Sequence, residues 1–142
     1  MTSQPRPRPA TSPARRTGAR RRPPALESEL GGVLVANAFV RMPVEEAVGA
    51  AGLKVVSLSS VAASHPPLRI LVAGLDDLGP FGARAVTSLC SAGTAVLVFG
   101  RPEQAAALRA IEACGAVAAE RGPFLVQLPG LLALALQARR AR

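Results

Sequence analysis

Tryptophan and tyrosine are missing from this chain of 142 residues, and phenylalanine occurs four times. A surface so poor in aromatics lacks the stacking platforms on which single-stranded nucleic acid is held. Histidine occurs once, at His65 in the sequence SHPP, and cysteine twice, at Cys90 and Cys114. There is no CxxC pair and no cluster of ligands, so no metal site is expected. The two thiols are expected to be free and buried, as small hydrophobes in a reducing compartment. No apolar run approaches the ~18–20 residues of a membrane span. The early arginines are not followed by the apolar stretch of an export signal. The chain is therefore expected to be cytoplasmic and to make no membrane contact. Glycine-rich phosphate loops are missing too: Gly31-Gly32 and Gly74, Gly79 and Gly82 match neither GxGxxG nor a Walker loop. No cofactor is expected.

Acidic residues are missing from the first 26 positions, which carry seven arginines: Arg6, Arg8, Arg15, Arg16, Arg20, Arg21 and Arg22. The remainder has ten basic residues against nine acidic ones, so the net charge of +8 belongs almost entirely to this tail. Rich in Pro, Arg, Ser and Thr, the tail cannot bury enough apolar surface to offset its ordering entropy. Residues 1–30 are expected to be a disordered tail, and residues 31–142 a single domain. Arg15, Arg16, Arg20, Arg21 and Arg22 could give weak nucleic-acid contact through phosphates. A plain solvated extension is the simpler reading.

What remains is a domain with a strong pattern. GVLVAN at 32–37, LKVVSL at 53–58, LRILVAG at 68–74, TAVLVF at 94–99 and AVAA at 116–119 read as strands. Continuous apolar runs, rather than alternating ones, indicate strands buried on both faces. Pro43–Gly52, Gly82–Ala92, Pro102–Cys114 and Pro129–Arg140 read as helices, with a weak turn or short helix at 59–67. Residues 75–81 and 122–128 are expected to be loops. Strands alternating with helices imply a parallel sheet covered on both faces.

In such a sheet, chemistry sits beyond the carboxyl ends of the strands. Here three of those ends are Asn37, Gly74 and Gly100, which offer neither acid, base nor nucleophile.

Three segments resemble the receiver domain of bacterial response regulators. They are ILVAGLDDLGPFG at 70–82, TAVLVFG at 94–100 and LRAIEACGAVAAERGP at 108–123. Together with element order, the resemblance covers residues 32–140. It implies a flavodoxin-like (βα)5 fold, α/β/α in three layers, with strand order 2-1-3-4-5. It also implies where the family's phosphorylation site falls. The acidic pair that holds Mg²⁺ falls on Asn37 and Ala38, and the phospho-acceptor on Gly74. The hydroxyl position falls on Gly100 and the lysine on Gly122. All five depart from the family pattern, so the resemblance carries the fold and denies the activity.

The expected function is therefore that of a non-catalytic, phosphorylation-independent receiver-like module in signal transduction or transcription control. It would not be an enzyme, and would act through a protein partner or homodimer at the 102–140 face. Ala106, Leu108 and Ala110 on one helix, with Leu132 and Leu136 on the last, are the candidate interface residues. No output domain follows QARRAR at the end, so a stand-alone regulator or half of a split one is expected. The alternative is a flavodoxin-like domain binding a small anionic ligand or nucleotide through loops at 37–43, 74–82 and 100–103. Asn37, Asp76, Asp77 and Arg101 would be its polar groups. Asp76 and Asp77 are otherwise a solvated pair beside a Gly-Pro turn.

Overall fold

The strands of the central sheet place odd and even residues on opposite sides; the inner strands are covered on both, while the edge strand at 54–57 is largely exposed. The computed structural model describes residues 24–62 and 64–140. Five parallel strands, β1 (Leu30–Leu34), β2 (Lys54–Ser57), β3 (Ile70–Gly74), β4 (Ala95–Gly100) and β5 (Val117–Glu120), lie in the order β2-β1-β3-β4-β5. This is the order expected from the resemblance. On one side Val33, Ile70, Val72, Leu97 and Phe99 pack beneath two helices, α2 (Ala38–Ala50) and α6 (Arg121–Arg140). On the other, Leu34, Leu71, Ala73, Val96 and Val98 pack beneath α4 (Gly82–Ser91) and α5 (Ala105–Ala113). That two-sided burial explains the unbroken apolar runs. Two single turns complete the set, α1 (Pro24–Glu27) and α3 (Leu75–Leu78).

The inward faces of the long helices follow the helical repeat. In α2, Val40, Val44 and Val48 recur every four residues and are buried. In α6, Phe124, Leu128, Leu132 and Ala135 recur every three or four residues and are buried. Phe124 stacks on Phe99 with ring centroids 4.7 Å apart, tying α6 to β4. Among the described residues Thr94 is the one polar residue buried as a whole, and its hydroxyl donates to the Leu68 carbonyl at 2.8 Å. Helices α4 and α5 stop just before Gly93 and Gly115, whose φ angles of 98° and 110° suit glycine alone.

Several boundaries differ from the sequence expectation; the loop expected at 75–81, for one, holds the turn α3. Strand β1 begins at Leu30, and Gly31-Gly32 lies inside it. Residues 24–30, assigned to the tail by composition, hold α1 with its buried Ala25 and the start of β1. The Ser28 hydroxyl donates to the Pro67 carbonyl at 2.8 Å, which fastens this entry segment to the domain. Helix α2 begins at Ala38, not at Pro43, because Asn37 is its N-cap and accepts from the Phe39 amide at 2.9 Å. Pro43 then sits inside the helix, at the loss of one backbone bond.

Residues 122–128 are not a loop: β5 runs straight into α6, with Pro123 in its first turn, where a missing amide is tolerated. Of the turn or short helix expected at 59–67 the structure shows the turn: among the described residues no helix joins β2 to β3, and a turn and the Pro66-Pro67 pair carry the chain across. Leu58 and Leu68 from that crossover lie over Gly32, so side chains supply the cover that a helix would have given.

Candidate functional site

At the carboxyl edge of the sheet the ends of β1, β3 and β4 surround a cleft of ≈ 230 Å³. Gly74 and Gly100, at strand ends, line it, and so does Asn37, although β1 stops at Leu34 and not at the expected residue 37. Ala38 and Gly122 do not line it. Ala38 is the first residue of α2, and Gly122 is the second of α6, so the neighbouring Arg121 contributes instead. The remaining walls include Asp76, Asp77, Phe99, Arg101 and Gln104.

The glycines do not leave the cleft empty. A Cβ placed on Gly74 would lie 2.5 Å from Asp77 Oδ2 and 3.2 Å from the Phe99 ring. The single turn α3 turns Asp77 back toward the strand end, so its carboxylate fills the space of a side chain at residue 74. A Cβ on Gly100 would similarly meet Gln104 Oε1 at 3.0 Å. Both vacated positions are thus taken by side chains from the loops that follow.

Asp77 is partly buried, and that burial lifts its carboxyl above the ordinary carboxylate range. A hydrogen bond from the Ala36 backbone amide acts in the opposite direction, and the charge of Asp76 raises it further. The carboxylate therefore joins the loop after β3 to the end of β1. It also borders a second hollow of ≈ 410 Å³, lined by Arg41, Ser57 and Ser59 among others.

Asp76 faces the other way. Gln104 Nε2 donates to its Oδ1 at 2.8 Å, while Gln104 Oε1 accepts from the Arg101 amide at 2.9 Å. Arg101 Nη2 lies 3.7 Å from Asp76 Oδ2, and its Nε 3.6 Å from Glu103 Oε2. These pairs are exposed and contribute little stability each. Their effect is to cancel charge: Arg101 meets two carboxylates.

Sequence reasoning missed Gln104 and Arg121. Gln104 had a legible signal, because a Gln three residues after a loop residue and just behind a Pro is a capping pattern. Arg121 had none, because its place depends on where β5 stops.

Among the described residues no group of three or more His, Cys, Asp or Glu could hold a metal ion. His65 stands alone, with Nδ1 2.8 Å from the Pro66 carbonyl. Cys90 and Cys114 are free, as expected, but half-buried rather than buried. Cys114 Sγ donates to the Ala110 carbonyl at 3.4 Å. No described helix is long and apolar enough to cross a membrane.

The candidate interface divides. Leu108 is 5% exposed and Leu132 1%, so both belong to the core and not to a partner face. Periodicity placed them on helices but not on a side. Ala106 and Ala110 are exposed, and Leu136 is half-buried against the core. Val126, at 83% exposure, and Leu134 are the large apolar residues that this region presents to solvent. Arg15, Arg16, Arg20, Arg21 and Arg22 lie outside the described residues.

No protein-family model matches the chain, and no curated protein matches it in sequence. Solved structures do match in fold. A response regulator from Thermotoga maritima is 12% identical with a TM-score of 0.61, over 78% of this chain and 98% of its own. A response regulator receiver domain protein from Clostridium thermocellum is 10% identical with a TM-score of 0.64, over 79% and 97%. NtrX from Brucella abortus, solved in complex with ADP, is 12% identical with a TM-score of 0.64 over 80% of this chain. This chain spans 28% of that longer one. The fold is that of the receiver domains.

Proposed function

We propose that this chain is a receiver-like regulatory module that works without phosphorylation and without catalysis, through contacts with a protein partner. The observation that carries the reading is the filling of the acceptor position. Residue 74 has no side chain, and Asp77 Oδ2 occupies the space one would need. The positions corresponding to the Mg²⁺-binding acids are Asn37, the N-cap of α2, and Ala38, its first residue. A hard divalent cation wants several carboxylate or carbonyl oxygens, and this edge offers Asp76 and Asp77, turned to different partners. The reading as an anion-binding pocket has less support, because Asp76 and Glu103 already meet the Arg101 charge.

In this reading the domain starts at residue 24, after the Arg/Pro tail. Its partner surface is placed on the exposed parts of α5 and α6, at Ala106, Ala110, Val126 and Leu134. The test is incubation of the full chain with an acyl phosphate and Mg²⁺, followed by intact mass. No phosphoryl adduct is expected. A stoichiometric adduct that disappears in Asp76→Ala or Asp77→Ala overturns the proposal.

A further inference from the structure

Strand β2 is an edge strand that pairs with β1 alone, so the amides and carbonyls of its outer side have no partner in the sheet. Beside it, α2 and β2 bound an open groove of ≈ 650 Å³ lined by Met42, Pro43, Glu45, Glu46, Val55 and Ser57. Met42 is 67% exposed and Val55 38%. The groove thus combines an apolar floor, two carboxylates and a free strand edge. Glu45 is held in place, its Oε2 accepting from the Ser57 hydroxyl at 2.8 Å.

We propose that the occupant of this groove is the chain's own Pro/Arg segment, residues 5–22. The first argument is charge. Residues 24–137 carry nine acidic residues and seven basic ones, whereas the segment before them carries seven arginines and no acid. Four of those nine acids, Glu27, Glu29, Glu45 and Glu46, fall on α1, β1 and α2 or their connections. Arg41, the basic residue of α2, points at the carbonyls of Val35 and Ala36, at 3.4 and 3.5 Å. Lys54 and Arg69, whose Nη1 donates to the Ser28 carbonyl at 3.3 Å, are the other bases near the first two strands.

The second argument is backbone chemistry. Pro5-Arg6-Pro7-Arg8-Pro9 favours the polyproline II conformation, which has no internal hydrogen bonds. Its carbonyls are free to accept from the outward amides of β2. Its proline rings suit Met42, Pro43 and Val55, and its arginines suit the glutamates.

The third argument is reach. The segment joins the domain at Pro24, and the Lys54 amide donates to the Glu29 carbonyl at 2.8 Å. Glu29, five residues after Pro24, therefore lies beside the first residue of β2. A four-residue strand is about 13 Å long, and ten residues of polyproline II span about 31 Å.

The test uses the full chain and three proteins: wild type, the fivefold variant R15Q/R16Q/R20Q/R21Q/R22Q, and E45Q/E46Q. Amide hydrogen exchange over residues 42–57 is the readout. Wild type is expected to exchange severalfold more slowly at 54–57 than either variant, independent of protein concentration. The difference should vanish at about 1 M salt, where the Debye length is about 3 Å. The substituted positions are in the tail, exposed (Glu46) or half-buried (Glu45), and equal melting temperatures will establish that the domain is intact. Equal exchange in the three proteins overturns the proposal. So does protection that grows with concentration, which would assign the groove to another copy's tail. Retention on duplex DNA by wild type without any protection at 54–57 also overturns it, assigning the arginines to nucleic acid.

Discussion

Asp77 Oδ2 sits 2.5 Å from the point where a Cβ on Gly74 would begin, so these two positions cannot both carry a side chain there. The φ of Gly74 is −77°, a value any residue adopts, so the obstacle is packing and not backbone. Gly74→Ala should cost about 1–3 kcal/mol as an overpacking change, because Asp77 must swing away from Ala36 and the Phe99 ring must give. Gly74→Asp should cost more, since it adds a like charge beside Asp76 and Asp77. Adding Asp77→Ala should recover a large part of either loss. Urea denaturation of the two singles and the double measures the coupling, and purely additive losses would show that the carboxylate does not fill that space.

The same carboxyl makes stability depend on pH in a stated direction. Burial raises the pKa of Asp77 in the folded protein above its ordinary value, with the Ala36 amide opposing and Asp76 adding. The folded state therefore holds this proton more tightly than the unfolded chain does. Its contribution is most favourable below the ordinary carboxylate range and falls as pH rises through the raised value. Asp77→Asn should remove that fall while keeping an oxygen for the Ala36 amide. The effect should be small, because the group is only partly buried. Denaturation midpoints between about pH 3 and pH 7 test it: parallel curves for wild type and variant would contradict the assignment.

Burial decides which of the leucines proposed for partner contact are structural. Leu132 is 1% exposed and packs with Phe124 and Leu128, so Leu132→Ala should cost about 2–5 kcal/mol. Val126 stands 83% exposed on the same helix, and Val126→Asp should change stability by less than about 0.5 kcal/mol. If Val126→Asp destabilises the purified domain as much as Leu132→Ala, the outward face of α6 is already covered. Sedimentation at several concentrations would then identify a second copy as the cover.

The sheet was legible because its strands are buried on both faces: Ile70–Gly74 and Ala95–Gly100 appear in the sequence as bounded apolar runs. Strand order came from the resemblance and not from the runs themselves. Helix starts were harder. Asn37 caps α2 at a position where Pro43 looked like the stronger signal, and Pro129 sits inside α6 where it looked like a beginning. In both cases tertiary packing of Val40 or Phe124 outweighs the local preference of a proline. The strand-end glycines were read as absences, which was right for the side chains and incomplete for the site. That Asp77 and Gln104 return to those positions depends on the path of a single turn and a 3₁₀ segment, which no periodicity encodes.

The first strand, expected at 32–37, begins at Leu30, so Gly31 and Gly32 are both buried within it. A Cβ on Gly31 would collide with Val48 Cγ1, and one on Gly32 would lie 2.7 Å from Leu68 Cδ1. Glycine is there to let α2 and the β2–β3 crossover approach the strand from its two sides. Gly31→Ala should cost about 1–3 kcal/mol, and Val48→Ala in the same chain should recover part of that by removing the colliding methyl. Gly49, exposed on α2 with nothing within 4 Å of its Cβ position, provides the contrast. There Gly→Ala should stabilise by about 0.5–1 kcal/mol through helix propensity alone. Thermal melts of the three variants settle the point, because opposite signs at Gly31 and Gly49 separate close approach from backbone freedom. The same sign at both would mean that α2 does not pack on β1 as described.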